Sequence, residues 1–98
     1  MLIFRHIEHM RSQLQPSRKL GQRISLVPTM GNLHEGHISL IKQAKAQSDI
    51  VVCSIFVNSL QFMLIEEWDK YPRTFEADCR KLREVGCDYL FAPGHDEM

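Results

Sequence analysis

The chain has 98 residues, 44% hydrophobic and 24% charged; that length suits one domain with one core and is too short for a two-domain enzyme, and that balance argues against wholesale disorder. Twelve Lys and Arg offset twelve Asp and Glu, which argues against a dedicated nucleic-acid binder, since displacing phosphate counterions needs a basic surface. The neutrality conceals two unlike halves: residues 1–49 carry seven basic against three acidic side chains, and residues 50–98 carry five against nine. We read the gradient as solvated helix faces, with a basic first half that would also favour an anionic ligand.

Ile3, Ile7, Met10 and Leu14 follow helical spacing and predict an amphipathic N-terminal helix, which Pro16 is expected to stop or restart because it has no N–H to give the preceding turn. Ser17–Arg23 is a basic connection containing Gly21. Ile24–Val27 predicts a short strand halted by Pro28. After the turn Thr29-Met-Gly31, residues Glu35–Gln47 predict a helix with Ile38, Leu40, Ile41 and Ala44 facing inward, broken at Ser48-Asp49. Ile50–Val57 is a nearly continuous apolar run, of the kind that forms a parallel strand covered on both faces. Asn58–Pro72 reads as a long connection. A second helix is expected from Thr74, a plausible N-cap, with Phe75, Cys79 and Leu82 inward and Gly86 as its stop. Tyr89–Ala92 is a third short strand. The order strand–helix–strand–helix–strand predicts an α/β fold with right-handed crossovers and a parallel sheet, half of a doubly wound nucleotide-binding fold with ligands where the strands end.

The longest apolar stretch, Ile50–Val57, is far short of the ~20 residues of a membrane span, and the opening residues lack the layout of a secretion signal. Cys53, Cys79 and Cys87 form no CxxC pair and read as reduced, mostly buried thiols of a cytoplasmic protein.

The chemistry concentrates in Val27-Pro-Thr-Met-Gly-Asn-Leu-His-Glu-Gly-His37, which leaves a predicted strand and opens a predicted helix. Free N–H groups in a first helical turn and the helix dipole both favour an anion there. Gly31 permits a tight turn and Gly36 a close approach to the helix start. His34 and His37, three apart, point to the same side, and two imidazoles aimed at one phosphate can donate hydrogen bonds to charge developing at phosphorus. The spacing alone is weak, because His6 and His9 share it on an ordinary helix face; the glycine-flanked turn is what distinguishes the second pair. Metal ligation is the rival use. Zinc takes three or four ligands, and neither HExxH nor a cysteine pair accompanies these histidines. Beyond the Ile50–Val57 strand, Asn58 and Gln61 are amides suited either to a substrate bearing hydroxyl and carboxylate groups or to tying down loop backbone. In Tyr71-Pro-Arg-Thr74, a structural role at the start of a helix is favoured over anion binding by Arg73. Trp68, Phe75 and Phe91 read as core or cover residues.

At these residues the sequence is familiar. Val27–His37, Ser54-Ile-Phe-Val-Asn58, Leu60-Gln-Phe62, Tyr71–Thr74 and Phe91-Ala-Pro93 together resemble, in collinear order, the N-terminal part of the pantothenate synthetase (pantoate–β-alanine ligase) family; His-x-Gly-His alone would point only to the wider nucleotidyltransferase superfamily. The resemblance implies a partial Rossmann-like, three-layer fold of βαβαβ type with an N-terminal helix. Residues 1–98 would be the N-terminal part of the nucleotide-binding domain, without the C-terminal lobe. It implies ligation of pantoate with β-alanine at the expense of ATP, with Mg2+ carried on the ATP, through a pantoyl-adenylate intermediate. Met30, Gly31, Asn32, Leu33, His34, Glu35, Gly36 and His37 would hold ATP. His34 and His37 would lie against its phosphates as the catalytic pair, with His37 at the position of the proton donor. Gln61 would bind pantoate near the β-alanine route, beside Asn58, with Pro28, Thr29 and Met30 shaping the pocket wall. A cytoplasmic homodimer is implied. Two departures are local: Ser59 stands where the family usually has proline, and Met63-Leu-Ile65 replaces a polar turn, which predicts burial of that segment against a partner chain or an altered loop course. Because the family's further ATP contacts lie downstream, the chain alone is expected to bind ATP or pantoate weakly and to turn over little. The alternative is a non-catalytic nucleotide-binding or self-association module on the same fold.

Overall fold

The computed structural model describes residues 1–56 and 65–93, with the backbone alone for 65–73. In chain order these form β1 (Leu2–Phe4), α1 (Ile7–Lys19), β2 (Ile24–Thr29), α2 (Glu35–Gln47), β3 (Ile50–Ile55), α3 (Ile65–Val85) and β4 (Tyr89–Phe91). The strands make one parallel sheet in the order β1-β4-β3-β2. The expected α/β fold is present, with one strand more than the sequence suggested.

β3 explains the layering. Its side chains alternate between faces, and Val51 to Ile55 are all buried, as a strand covered on both sides requires. Val51, Cys53 and Ile55 pack with Ile41 of α2 and Cys79 and Leu82 of α3 in one apolar cluster, joined by Leu90 of β4. On the opposite face Val52 and Leu26 line a groove together with Met10 and Leu14 of α1, and Gln13 of α1 reaches the Tyr89 hydroxyl at 3.4 Å. Three layers result: α1, the sheet, then α2 with α3. Burying each such aliphatic side chain stabilises the fold by ~1.5–3 kcal/mol.

Two helices end at glycines, Gly86 as expected and Gly21 unforeseen. At α1, the Gln22 N–H reaches the Ser17 carbonyl and the Gly21 N–H that of Arg18, with Gly21 at φ +74°. At α3, Cys87 N–H reaches Leu82 O and Gly86 N–H reaches Arg83 O, with Gly86 at φ +82°. Both are Schellman closures, which need a left-handed residue just past the helix. In the second, the apolar pair Cys87 and Leu82 is buried beside the closure.

Several expectations are corrected. The N-terminal helix does not include Ile3, which lies in β1 opposite Leu90; that pairing spans almost the whole chain and leaves no mark in local periodicity. Pro16 does not stop α1 but sits inside it. One backbone bond is forgone, yet Leu20 N–H still reaches the Pro16 carbonyl at 3.1 Å, and Leu14 stays buried. Pro28 does not halt β2, which continues to Thr29. Thr29 accepts from Phe56 N–H on the β3 side, so the neighbouring Pro28 nitrogen faces the other edge, which is unpaired among the described residues, where a missing donor costs no ladder bond. β3 ends at Ile55 rather than Val57. Thr74 is not an N-cap, because α3 already begins at Ile65 and carries Tyr71–Thr74 within it. Leu40 points outward, 53% exposed, while Ile41 is fully buried and Ala44 packs against the core.

Candidate active site

Because every strand is parallel, all their carboxyl ends lie along one edge of the sheet, and β2 delivers the chain from that edge directly into α2. The turn between them is built from its backbone outward. Gly31 and Asn32 are consecutive left-handed residues, with φ of +88° and +54°. Glycine adopts this conformation freely and Asn is among the residues that tolerate it. A Cβ on Gly31 would also stand 3.4 Å from Ile55 Cγ2. The buried Thr29 ties the turn to β3: its hydroxyl donates to the Ser54 carbonyl (2.9 Å) and accepts from Gly31 N–H (3.3 Å). Leu33, 2% exposed, plugs the turn into the core.

The two histidines follow from this turn. His34 is the N-cap of α2, and its Nδ1 accepts from the Gly36 N–H at 3.0 Å; His37 Nδ1 accepts from the His34 N–H at 3.2 Å. This is a reciprocal capping box in which imidazoles take the places usually held by Ser or Thr and Glu. The ring centroids are 4.2 Å apart at a tilt of 44°. Gly36 has a second reason here. A Cβ on it would lie 2.7 Å from His34 Cε1 and 3.0 Å from Nδ1, so the space that a ligand was expected to use is taken by the His34 ring.

The caps fix the chemistry of the rings. A neutral imidazole whose Nδ1 accepts must carry its proton on Nε2, which turns both Nε2–H groups into hydrogen-bond donors directed away from the backbone. Burial, and secondarily the neighbouring His34, hold His37 below the usual histidine range, with Asp78 pulling weakly the other way. His37 is therefore a neutral donor at neutral pH.

Of the expected site residues, Thr29, Gly31, Asn32, Leu33, His34, Gly36 and His37 form this one turn, with Glu35 opening α2. Met30 stands at its lip, 67% exposed, and Pro28 is exposed on β2. Asn58 and Gln61, and with them Ser59 and the Met63–Ile65 segment, lie outside what the structure describes. Beside His34 a groove of about 590 Å³ runs between α2 and α3, lined among others by Ile38, Ser39, Lys42 and Lys81. It touches the turn at Leu33 and His34 but does not include His37.

Sequence reasoning missed Asp78 and Lys81. Asp78 is 1% exposed, and its carboxylate accepts from Asn32 N–H (2.9 Å) and Leu33 N–H (2.8 Å); Lys81 Nζ donates to the Leu33 carbonyl at 2.7 Å. The signal was available. Asp78 falls between Phe75, Cys79 and Leu82 on the apolar face of a helix, where a charge is placed only if something receives it.

The chain is 54% identical over all 98 residues to a pantothenate synthetase of Saccharophagus degradans, covering 34% of that protein. A crystal structure of pantothenate synthetase from Thermus thermophilus superposes with a TM-score of 0.78 at 41% identity, over the whole chain and 34% of the other. A pantoate-beta-alanine ligase from Francisella tularensis, complexed with beta-gamma ATP and beta-alanine, superposes with a TM-score of 0.80 at 41% identity, over 99% of this chain and 37% of the other. The chain thus spans about a third of the length of the relatives it matches. The model of the pantoate-beta-alanine ligase family matches residues 2–98, and the chain belongs to that family.

Proposed function

We propose that this segment forms the phosphate-binding wall of a pantoate–β-alanine ligase. In that reaction a pantoate carboxylate oxygen attacks the α-phosphorus of ATP and pyrophosphate leaves, giving pantoyl adenylate. The amine of β-alanine then attacks the acyl carbon, AMP leaves and an amine proton is lost, giving pantothenate. His34 and His37 donate from Nε2–H to the phosphate oxygens on which charge grows as the α-phosphorus is attacked, and Met30 to Gly36 line the nucleotide. One preorganised donor of this kind is worth ~2.7–4 kcal/mol in the transition state. Mg2+ belongs to the substrate in this reading, carried on the phosphates. Asn58 and Gln61 are assigned to pantoate, with Pro28, Thr29 and Met30 at the pocket wall, and the working form is a cytoplasmic homodimer. No helix among the described residues is long and apolar enough to cross a membrane.

The observation that carries the proposal is the pair of imidazoles 4.2 Å apart, each held by Nδ1 on backbone at the start of α2, in a chain whose relative was crystallised with an ATP compound and β-alanine. A bare surface pair needs no such anchoring. Calorimetric titration with Mg·ATP and an assay of AMP release from ATP, pantoate and β-alanine test it, each against His34→Ala and His37→Ala. We expect weak ATP binding by the wild-type chain that either substitution reduces by about tenfold or more, and little turnover because about two-thirds of the relatives' length is not in this chain. Unchanged ATP affinity in both variants would refute the role of the pair, and turnover at an ordinary enzymatic rate would refute the incompleteness of the site.

A further inference from the structure

The site turn has no ladder of its own, yet it must hold two left-handed residues and aim two rings. Its backbone is gripped from outside by one face of α3. Asp78 and Lys81 are three residues apart and so project together. Between them they take consecutive polar groups of the turn: Asn32 N–H on Asp78 Oδ2, Leu33 N–H on Oδ1, and the Leu33 carbonyl on Lys81 Nζ. Both Asp78 oxygens are engaged on backbone, and the side chain has almost no solvent contact.

Electrostatics makes this placement informative. A carboxylate beside the N-terminus of a helix that receives phosphate opposes the ligand's charge, so its presence there is not explained by ligand attraction. What a carboxylate alone supplies is two acceptors on one rigid plane, matched to two successive N–H groups. Neither Asn nor Gln can do this, since one of their two heads is a donor.

We infer that Asp78 is a positioning residue of the site: with Lys81 it clamps residues 32–33 so that the reciprocal His34 and His37 caps form and the two rings stay 4.2 Å apart. The inference rests on the nucleotide reading of the turn, but its most direct readout does not. Asp78→Asn preserves volume and sets an NH2 against a backbone N–H. In the wild type, long-range 15N–1H spectra of the histidine rings show Nε2 protonated and Nδ1 accepting at both His34 and His37. In Asp78→Asn those signals shift toward mixed tautomers, and ATP affinity falls by about tenfold or more. Cys79→Ala, next on the same helix and packed in the apolar cluster, serves as the control: it lowers the melting temperature and leaves ring signals and affinity unchanged. Lys81→Met is the second variant, because Lys81 is exposed and the fold survives its loss; it shifts the same signals to a smaller extent. Wild-type ring signals in Asp78→Asn, or in Lys81→Met should the first variant not fold, would overturn the inference. Absence of ATP binding by the wild type would instead overturn the nucleotide reading, and the ring spectra would still decide on Asp78.

Discussion

Gly36→Ala isolates the turn's purpose from its stability. The backbone of residue 36 is ordinary helix, so alanine meets no conformational penalty there. What it meets is the His34 ring, with Cε1 at 2.7 Å and Nδ1 at 3.0 Å from the new Cβ. His34 is exposed, so its ring swings into solvent without leaving a cavity. The move breaks the bond between Nδ1 and the N–H of residue 36, and losing an N-cap costs about 1 kcal/mol. Against this, alanine in place of glycine stabilises a helix by up to ~0.8–1.0 kcal/mol. The two nearly cancel. Since about 1 kcal/mol moves the melting temperature of a domain this size by ~4–8 °C, the variant should melt within a few degrees of wild type. Binding does not cancel. The displaced His34 no longer donates where it did, and the backbone N–H that fed its cap is left to solvent. Loss of one hydrogen bond to a charged group weakens affinity by about tenfold or more. Paired thermal melts and Mg·ATP titrations measure both quantities on one sample. If ATP binds Gly36→Ala as tightly as wild type, the His34 ring is not part of the phosphate site. If instead the variant melts well below wild type, the capping box is a structural device first and the reasoning fails.

The depressed pKa of His37 gives a pH signature. Above the ordinary histidine value both the folded and unfolded forms are neutral and the full contribution to stability is present; as pH falls through the lowered folded value it is lost, because the unfolded chain takes up the proton first. Protonation of Nδ1 also removes the acceptor for His34 N–H. Melting temperature should therefore fall more steeply between about pH 7 and 5 in wild type than in His37→Asn, which keeps an acceptor and does not titrate; equal slopes would refute it. Burial, and then the neighbouring Cys87, push the Cys53 thiol up to about 12, and burial raises Cys79 and Cys87 as well. Native protein at about pH 8 should resist iodoacetamide at all three positions and take up three adducts in denaturant, by intact mass; rapid labelling of Cys53 without denaturant would contradict its place in the core.

What was legible in the sequence was whatever is local. The bounds Glu35–Gln47 were read from apolar spacing, and Gly86 was read as a stop, because helix periodicity and Schellman closure are settled within a few residues. The two prolines misled for the opposite reason. Whether a missing N–H costs anything depends on what faces that nitrogen, and for Pro28 that is decided by which edge of β2 is paired. β1 was invisible because Leu2–Phe4 becomes a strand only by meeting Tyr89–Phe91.

The site divides along the same line. Spacing and two glycines singled out His34 and His37, and family likeness suggested the use proposed for them, but neither revealed that each ring gives its Nδ1 to the backbone. That detail leaves Nε2, and not Nδ1, as the ring atom available to a ligand at both positions. It depends on Gly36 having no Cβ and on a carboxylate, 46 residues beyond Asn32 and 45 beyond Leu33, that holds both of those N–H groups. A motif of a few residues thus sets its own caps, while the angle at which it presents them is set by α3. Substitutions in Asp78 should accordingly mimic substitutions in the histidines more closely than do substitutions in Glu35, which is nearer in sequence but exposed.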